Sequence, residues 1–146
     1  MKALVIFDSN LGSTKVIAET VAKNLGEGTK AISVSDFNIE DIKGLDLIVV
    51  GSPIIGWKPT EKIDQFLLNL GNDQLKNIKA TSFDTRIKLF MHGDAMKKIS
   101  DKLKNAGAEI LVEPRAFYVK GKENGLFDGE IEKAADWAKT IKASFE

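Results

Sequence analysis

The feature of this sequence that most limits its fold is a repeated alternation of short apolar runs with segments of helical period. Apolar runs at Ala3–Phe7, Leu45–Val50 and Lys79–Phe83 predict strands. Apolar residues that recur every three or four positions predict helices, beginning with Ser13–Leu25. This alternation, repeated about five times, predicts a single α/β domain over residues 1–146 with a mostly parallel sheet covered by helices on both faces.

The rest of the chain continues the pattern. The fourth strand is expected to end at Phe83, with Lys88–Met91 as a candidate for its continuation, and the last strand to be broken at Pro114. Thr60 and Asp94 are the expected N-caps of their helices. The remaining predicted elements are a weaker strand at Lys30–Val34, a helical turn at Ile39–Ile42, helices at Thr60–Leu70, Asp94–Ala106 and Asp128–Ala143, and strand halves at Ala108–Val112 and Ala116–Val119.

Composition narrows the chemistry. The chain has no cysteine and one histidine, His92, which excludes disulfides and thiolate sites and argues against a histidine metal cluster or a Ser-His-Asp relay. We therefore expect no metal site. With 21 basic and 21 acidic residues the net charge is zero, so nothing predicts nucleic acid or membrane binding. The first apolar run ends at Asp8, too short for a signal core or a membrane span, so we expect a cytoplasmic location.

Ligands of open parallel sheets bind outside the carboxyl ends of the strands, which directs attention to three loops. The first is rich in hydroxyl groups and precedes a helix, whose N-terminal amides and dipole suit a phosphate. It lacks the glycine spacing of the P-loop and of the dinucleotide fingerprint, and an ordinary helix cap remains the alternative. Its residues are Ser9, Asn10, Leu11, Gly12, Ser13 and Thr14.

The second and third loops suggest a slot for a flat aromatic ligand. Gly51–Pro59 is apolar and stiffened by proline, with Trp57 expected at the rim as a stacking face. The alternative is a loop tucked into the core. In the third loop, Asp84–Gly93, Asp84 and Thr85 offer polar contacts and Arg86 a positive charge, although a solvated rim is the alternative for Arg86. For His92 we expect packing or exposure rather than catalysis.

Together these loops resemble the flavodoxin family. Ser9–Thr14 matches the family's phosphate-binding pattern [ST]-x-[ST]-G-x-[ST] except at Leu11, where a hydroxyl residue is usual. The stretches Gly51–Trp57 and Phe83–Arg86 look like the family's two flavin-flanking loops. The chain departs from typical flavodoxins in its neutral charge and in lacking a tyrosine or tryptophan in the third loop, where Phe90 is the only aromatic residue nearby.

The resemblance implies a three-layer, doubly wound, five-stranded parallel sheet in order 2-1-3-4-5 built around FMN. It implies that Ser9 through Thr14 bind the phosphate. The protein would supply no catalytic side chain. The ring would be covered on one side by the second loop, and the third loop would approach its other side or its pyrimidine edge. The residues so implicated are Pro53, Ile54, Ile55, Gly56, Trp57, Asp84, Thr85 and Arg86.

The function implied is transient electron transfer between redox-partner proteins by a monomer or weak dimer. A flavodoxin-like NAD(P)H-dependent quinone or nitro reductase is the alternative, although 146 residues with short loops leave little material for a substrate pocket. A phosphoacceptor receiver is disfavoured because Gly51–Pro53 replaces the acceptor aspartate. A flavin-free scaffold stays open.

Overall fold

The computed structural model describes residues 1–88, 93–121 and 125–145, so Phe90, His92 and most of the candidate continuation Lys88–Met91 lie outside the described residues. Strands and helices alternate along the chain as predicted. Two short 3-10 turns, Val34–Asp36 and Ile39–Ile42, follow β2. The elements are β1 (Ala3–Phe7), α1 (Ser13–Leu25), β2 (Lys30–Ser33), β3 (Leu47–Pro53), α2 (Glu61–Leu68), β4 (Lys79–Ile87), α3 (Met96–Asn105), β5 (Glu109–Ile110), β6 (Arg115–Val119) and α4 (Glu130–Phe145).

All strands of the described sheet pair in parallel, in the order β2-β1-β3-β4-β5, which confirms the predicted doubly wound topology. A sixth strand, β6, also pairs with β4. Ala80 lies opposite Ile110 in β5, and Phe83 lies opposite Arg115 in β6, so β5 and β6 are two segments of one interrupted edge strand. The predicted break at Pro114 falls between them.

Each face of the sheet has its own apolar core. On one face, α1 and α4 cover three buried rings, Phe83, Phe117 and Trp137, whose centroids lie 5.8–6.1 Å apart in edge-on arrangements. On the other face, α2 and α3 bury side chains such as Ile63 and Leu103 against the sheet. Gly51 in β3 leaves room for the Phe83 ring, which a Cβ at that position would overlap. Within the described ranges, no helix has the length and apolarity needed to cross a bilayer.

The structure corrects three sequence-based boundaries. β3 does not end at Val50 but runs on to Pro53, so Gly51, Ser52 and Pro53 are strand residues rather than loop residues. β4 does not end at Phe83 but runs on to Ile87, because β6 extends its pairing through Ile87. Asp84, Thr85 and Arg86 are therefore buried strand residues rather than loop residues. The N-cap position of α3 is Ala95 rather than Asp94, and Ala95 makes no side-chain cap hydrogen bond. Asp94 nevertheless caps the helix start, because its Oδ1 accepts the Lys97 amide of the first turn at 3.2 Å. Thr60, by contrast, is confirmed as the N-cap of α2, where its hydroxyl accepts a hydrogen bond from the Ile63 amide at 3.3 Å.

Candidate functional site

A cleft of about 340 Å³ opens at the carboxyl ends of the parallel strands. It lies at the switch point between β1 and β3, from which the chain continues to β2 on one side and to β4 on the other. The three predicted loops meet there, which brings together most of the predicted site residues. Ser9, Gly12 and Asp84 are the predicted residues that do not line it. The lining residues are Asn10, Leu11, Ser13, Thr14, Pro53, Ile54, Ile55, Gly56, Trp57, Thr85, Arg86, Ile87, Val119 and Gly121.

Three of these lining residues were missed by the sequence analysis. Ile87 closes β4, and Val119 and Gly121 lie at the end of β6. Their signal was available, because residues just past the carboxyl end of any parallel strand share this edge of the sheet. The last strand was not treated as a source of site residues, and the fourth was expected to stop too early.

The first loop forms a tight turn at the start of α1, beside the cleft. Gly12 adopts φ 99° as the N-cap of α1, a left-handed conformation that glycine adopts without strain. The Ser9 hydroxyl accepts hydrogen bonds from the amides of Gly12 at 3.1 Å and Lys15 at 3.4 Å. The Ser13 and Thr14 amides fall in the first helical turn, where no intrahelical acceptor exists. This arrangement suits an anion at the positive end of the α1 dipole.

One member of the first loop is tied to the sheet. Thr14 is buried, and its hydroxyl shares a 2.8 Å hydrogen bond with the Thr85 hydroxyl of β4. This hydrogen bond joins the first turn of α1 to the carboxyl end of β4. The Thr14 side chain therefore positions the loop, whichever ligand the amides bind.

Removing this hydroxyl pair has a measurable cost. We expect Thr14→Val to lower the free energy of unfolding by about 1 kcal/mol, because Thr85 loses its buried partner. Urea denaturation measures the change. The double variant Thr14→Val/Thr85→Val is the control and is expected to lose less than the sum of the single variants. Full additivity of the two losses would contradict a direct coupling.

The second loop is apolar, and its backbone is hydrogen-bonded to α3 and to the residues just before α3. Ile55 and Lys58 form a small antiparallel bridge, and between them Trp57 takes a positive φ of 73° with 54% of its surface exposed. The Trp57 carbonyl accepts hydrogen bonds from the Asp94 amide at 3.3 Å and the Lys98 ammonium at 3.0 Å. The unusual backbone of Trp57 is thus held by α3 and by the segment before it, and an exposed indole remains at the rim.

Near the end of β4, Asp84 and Arg86 form a buried ion pair, of which only Arg86 lines the cleft. The Arg86 guanidinium donates to both carboxylate oxygens of Asp84, with Nε–Oδ1 at 2.8 Å and Nη2–Oδ2 at 2.5 Å, and lies 3.5 Å from Asp94 Oδ1. Asp84 Oδ2 also accepts the amides of Ala95 and Met96 at 3.2 and 2.9 Å. The hydrogen bond to Asp84 raises the pKa of Arg86, against the opposing effect of burial. Asp84 therefore caps the start of α3 together with Asp94, whose Oδ1 accepts the Lys97 amide at 3.2 Å.

These contacts define what the β4 residues offer to a ligand. Arg86 and Thr85 line the cleft, whereas Asp84 is fully buried and turned toward Arg86 and α3. Direct ligand contact by Asp84 stays a prediction. The positive charge of Arg86 is largely compensated by two carboxylates, so the guanidinium acts at this wall as a hydrogen-bonding group more than as a net charge. Among the described residues, no group of three or more acidic or histidine side chains could hold a metal ion.

The doubly wound sheet and the cleft at its switch point define a flavodoxin-like α/β protein. The chain belongs to the flavodoxin family, because the family model for the flavodoxin domain matches residues 4–119. An uncharacterized protein of Methanocaldococcus jannaschii is 32% identical over 97% of this chain and 98% of its own length.

Solved structures show the same fold. A flavodoxin from the domain Archaea superposes with a TM-score of 0.82 at 20% identity, over 99% of each chain. Oxidised flavodoxin 1 of Bacillus cereus gives a TM-score of 0.82 at 20% identity, over 99% of this chain and 97% of its own. At this level of identity the likeness concerns the fold alone.

Proposed function

We propose that this chain binds one FMN noncovalently and carries electrons between redox-partner proteins in the cytoplasm, without a stable oligomer. The observation that supports this best is one continuous cleft that joins anion-suited amides to apolar walls. The amides belong to the first turn of α1, and the walls include Ile54, Trp57 and Val119. A phosphorylated flat ring needs these two chemistries side by side.

Each part of the cleft has a role in this proposal. The amides of Gly12 through Lys15 would hold the phosphate. The Gly12 and Lys15 amides would then donate to the phosphate instead of to the Ser9 hydroxyl, which accepts them here. The absence of a hydroxyl at Leu11 removes one side-chain donor, so the phosphate would be held by the backbone amides and by the remaining hydroxyl groups, such as that of Ser13. The segment Pro53–Trp57 would cover one side of the ring, and Thr85–Ile87 the other. FMN supplies the redox chemistry when bound, and the protein orients it and sets its electrostatic surroundings.

Flavin titration tests the proposal. We expect FMN to bind to the flavin-free protein with loss of flavin fluorescence, and riboflavin, which lacks the phosphate, to bind at least about tenfold more weakly, equivalent to about 1.4 kcal/mol. Equal affinities would contradict the phosphate cradle, and no binding of either would contradict the proposed function. Sustained NADPH oxidation with a quinone by the purified holoprotein would favour the reductase alternative over the electron carrier.

Trp57 provides a test of the ring site. We expect Trp57→Ala to weaken FMN binding by about threefold to tenfold through lost stacking of about 0.5–1.5 kcal/mol. Folding should be little affected, because the indole is 54% exposed. Trp57→Phe, which keeps an aromatic face, is the matched control and should retain most of the affinity. An unchanged affinity in Trp57→Ala would exclude stacking by this indole.

A further inference from the structure

The charges around the cleft are distributed very unevenly. Four of the described residues that directly adjoin its lining in sequence are exposed lysines. The one carboxylate in the same positions, Asp84, is fully buried and paired with Arg86. Two more exposed lysines begin α3 beside the second loop, where Lys98 contacts the Trp57 carbonyl. We call this set the lysine rim: Lys15, Lys58, Lys88, Lys97, Lys98 and Lys120.

Among the described residues, few carboxylates offset the lysine rim. Asp94 lies at the carboxyl ends of the strands, but it is half-buried and shares its charge with Arg86. Asp8, directly after β1, is also half-buried, and its Oδ1 accepts the Ser9 amide at 3.0 Å. Glu61 and Asp128 are exposed near the starts of α2 and α4, outside the lining and its sequence neighbours. The whole chain has 21 basic and 21 acidic residues, so a positive rim requires a matching negative charge over the rest of the molecule. A neutral protein of this kind is a dipole with its positive end at the cleft.

The centre of this surface is apolar. Leu11, Ile55, Trp57 and Ile87 line the cleft and expose 57%, 46%, 54% and 37% of their surfaces. An apolar centre inside a charged rim is the usual anatomy of a protein–protein interface. A surface for nucleic acid or lipid headgroups would be expected to be charged throughout, because phosphate contacts dominate such binding.

We propose that the lysine rim is the docking surface for an acidic redox protein, which meets the cleft with a carboxylate-rich face around its own redox centre. The proposal rests on the proposed function, since it takes the edge of a bound flavin as the point of electron exit. The dipole would orient such a partner during diffusion and raise its association rate at low ionic strength. A partner with a basic face would be repelled by the same surface.

The test uses two acceptors that differ in charge but carry the same haem: basic mitochondrial cytochrome c and its lysine-succinylated, acidic form. The FMN-loaded protein is reduced with dithionite, freed of excess reductant and mixed with ferric acceptor, which gains one electron from the reduced flavin. Haem absorbance reports the rate. We expect faster reduction of the acidic acceptor, slowing as salt rises from about 10 mM to about 0.3 M, and the opposite salt dependence for the basic acceptor.

Charge reversal locates the surface. We expect Lys58→Glu/Lys97→Glu to slow reduction of the acidic acceptor at least about tenfold at low salt. Both side chains are exposed, and Lys97 lies in the first turn of α3, where glutamate is favourable to the helix. The matched control is Lys30→Glu/Lys76→Glu, which makes the same charge change at the amino ends of the strands, away from the cleft. It should leave the rate nearly unchanged.

The outcomes separate this proposal from the proposed function. No FMN binding overturns both. Normal FMN binding together with a faster basic acceptor, a rate independent of salt, or an equal loss in the control variant overturns the docking proposal alone. It is also overturned if wild-type protein binds duplex DNA or phosphatidylglycerol vesicles at physiological salt and Lys58→Glu/Lys97→Glu abolishes that binding, since the rim would then be a phosphate-binding surface.

Discussion

Replacing Asp84 by asparagine is expected to lower the free energy of unfolding by about 3–5 kcal/mol, a large part of the stability of a domain of this size. Asp84 is fully buried and its two carboxylate oxygens meet Arg86, while Oδ2 also accepts two amides from the start of α3. Asparagine has nearly the same shape but no charge and one acceptor oxygen. The substitution therefore leaves a buried guanidinium without its main counter-charge.

Chemical denaturation measures this loss, and a double substitution identifies its cause. Asp84→Leu/Arg86→Met removes both charges and fills a similar volume with apolar groups, which is often nearly neutral in other buried pairs. We expect this double variant to lose less stability than Asp84→Asn alone, although the amides at α3 lose their acceptor. If the double variant is the less stable of the two, the ion pair is not the source of the effect.

The second large effect is expected from Gly93→Ala. Gly93 adopts φ 68°, and a Cβ there would lie 2.5 Å from Trp57 Cα. This contact is with backbone, so a change of side-chain rotamer cannot relieve it. The Trp57 segment would have to shift, so we expect a loss of about 1–3 kcal/mol of stability beyond the strain of the positive φ. The same shift moves the proposed stacking face, and FMN binding should weaken at least about tenfold.

Gly28→Ala is the matched control for backbone strain. Gly28 has φ 85° in the turn before β2, and a Cβ there would meet no atom within 4 Å. It should cost stability of about 1 kcal/mol through the positive φ alone and leave FMN binding unchanged. Equal losses of stability and of flavin affinity in the two variants would show that steric contact with Trp57 plays no part.

Most of the fold could be predicted from the sequence because its elements carry local signals. The apolar runs and helical periods predicted the presence of every strand and helix. Thr60 was predicted as an N-cap from its position before a helix, and its hydroxyl does cap α2. The extent of β4 could not be predicted in this way, because it depends on pairing with β6, about thirty residues later in the chain. Long-range pairing of this kind leaves little trace in the local pattern.

The site shows the same division. That three loops would meet at one edge followed from topology, and the cleft does gather most of the residues expected there. The capping of α3 by Asp84 could not be anticipated, since the donors Ala95 and Met96 follow it by 11 and 12 residues and come close only in the folded sheet. The cap by Asp94 could be predicted locally, because the Lys97 amide that it accepts lies only three residues later.

The second loop is closed at its base by a single side chain. Ser52, fully buried at the end of β3, accepts the Thr60 amide at 3.0 Å and donates to the Pro53 carbonyl at 2.7 Å. One hydroxyl therefore hydrogen-bonds to both ends of the loop, and the antiparallel bridge between Ile55 and Lys58 joins the two sides of its tip. Residues between these two contacts can consequently be exchanged, and the ring preference of the proposed flavin site changed, while the ends of the loop stay joined.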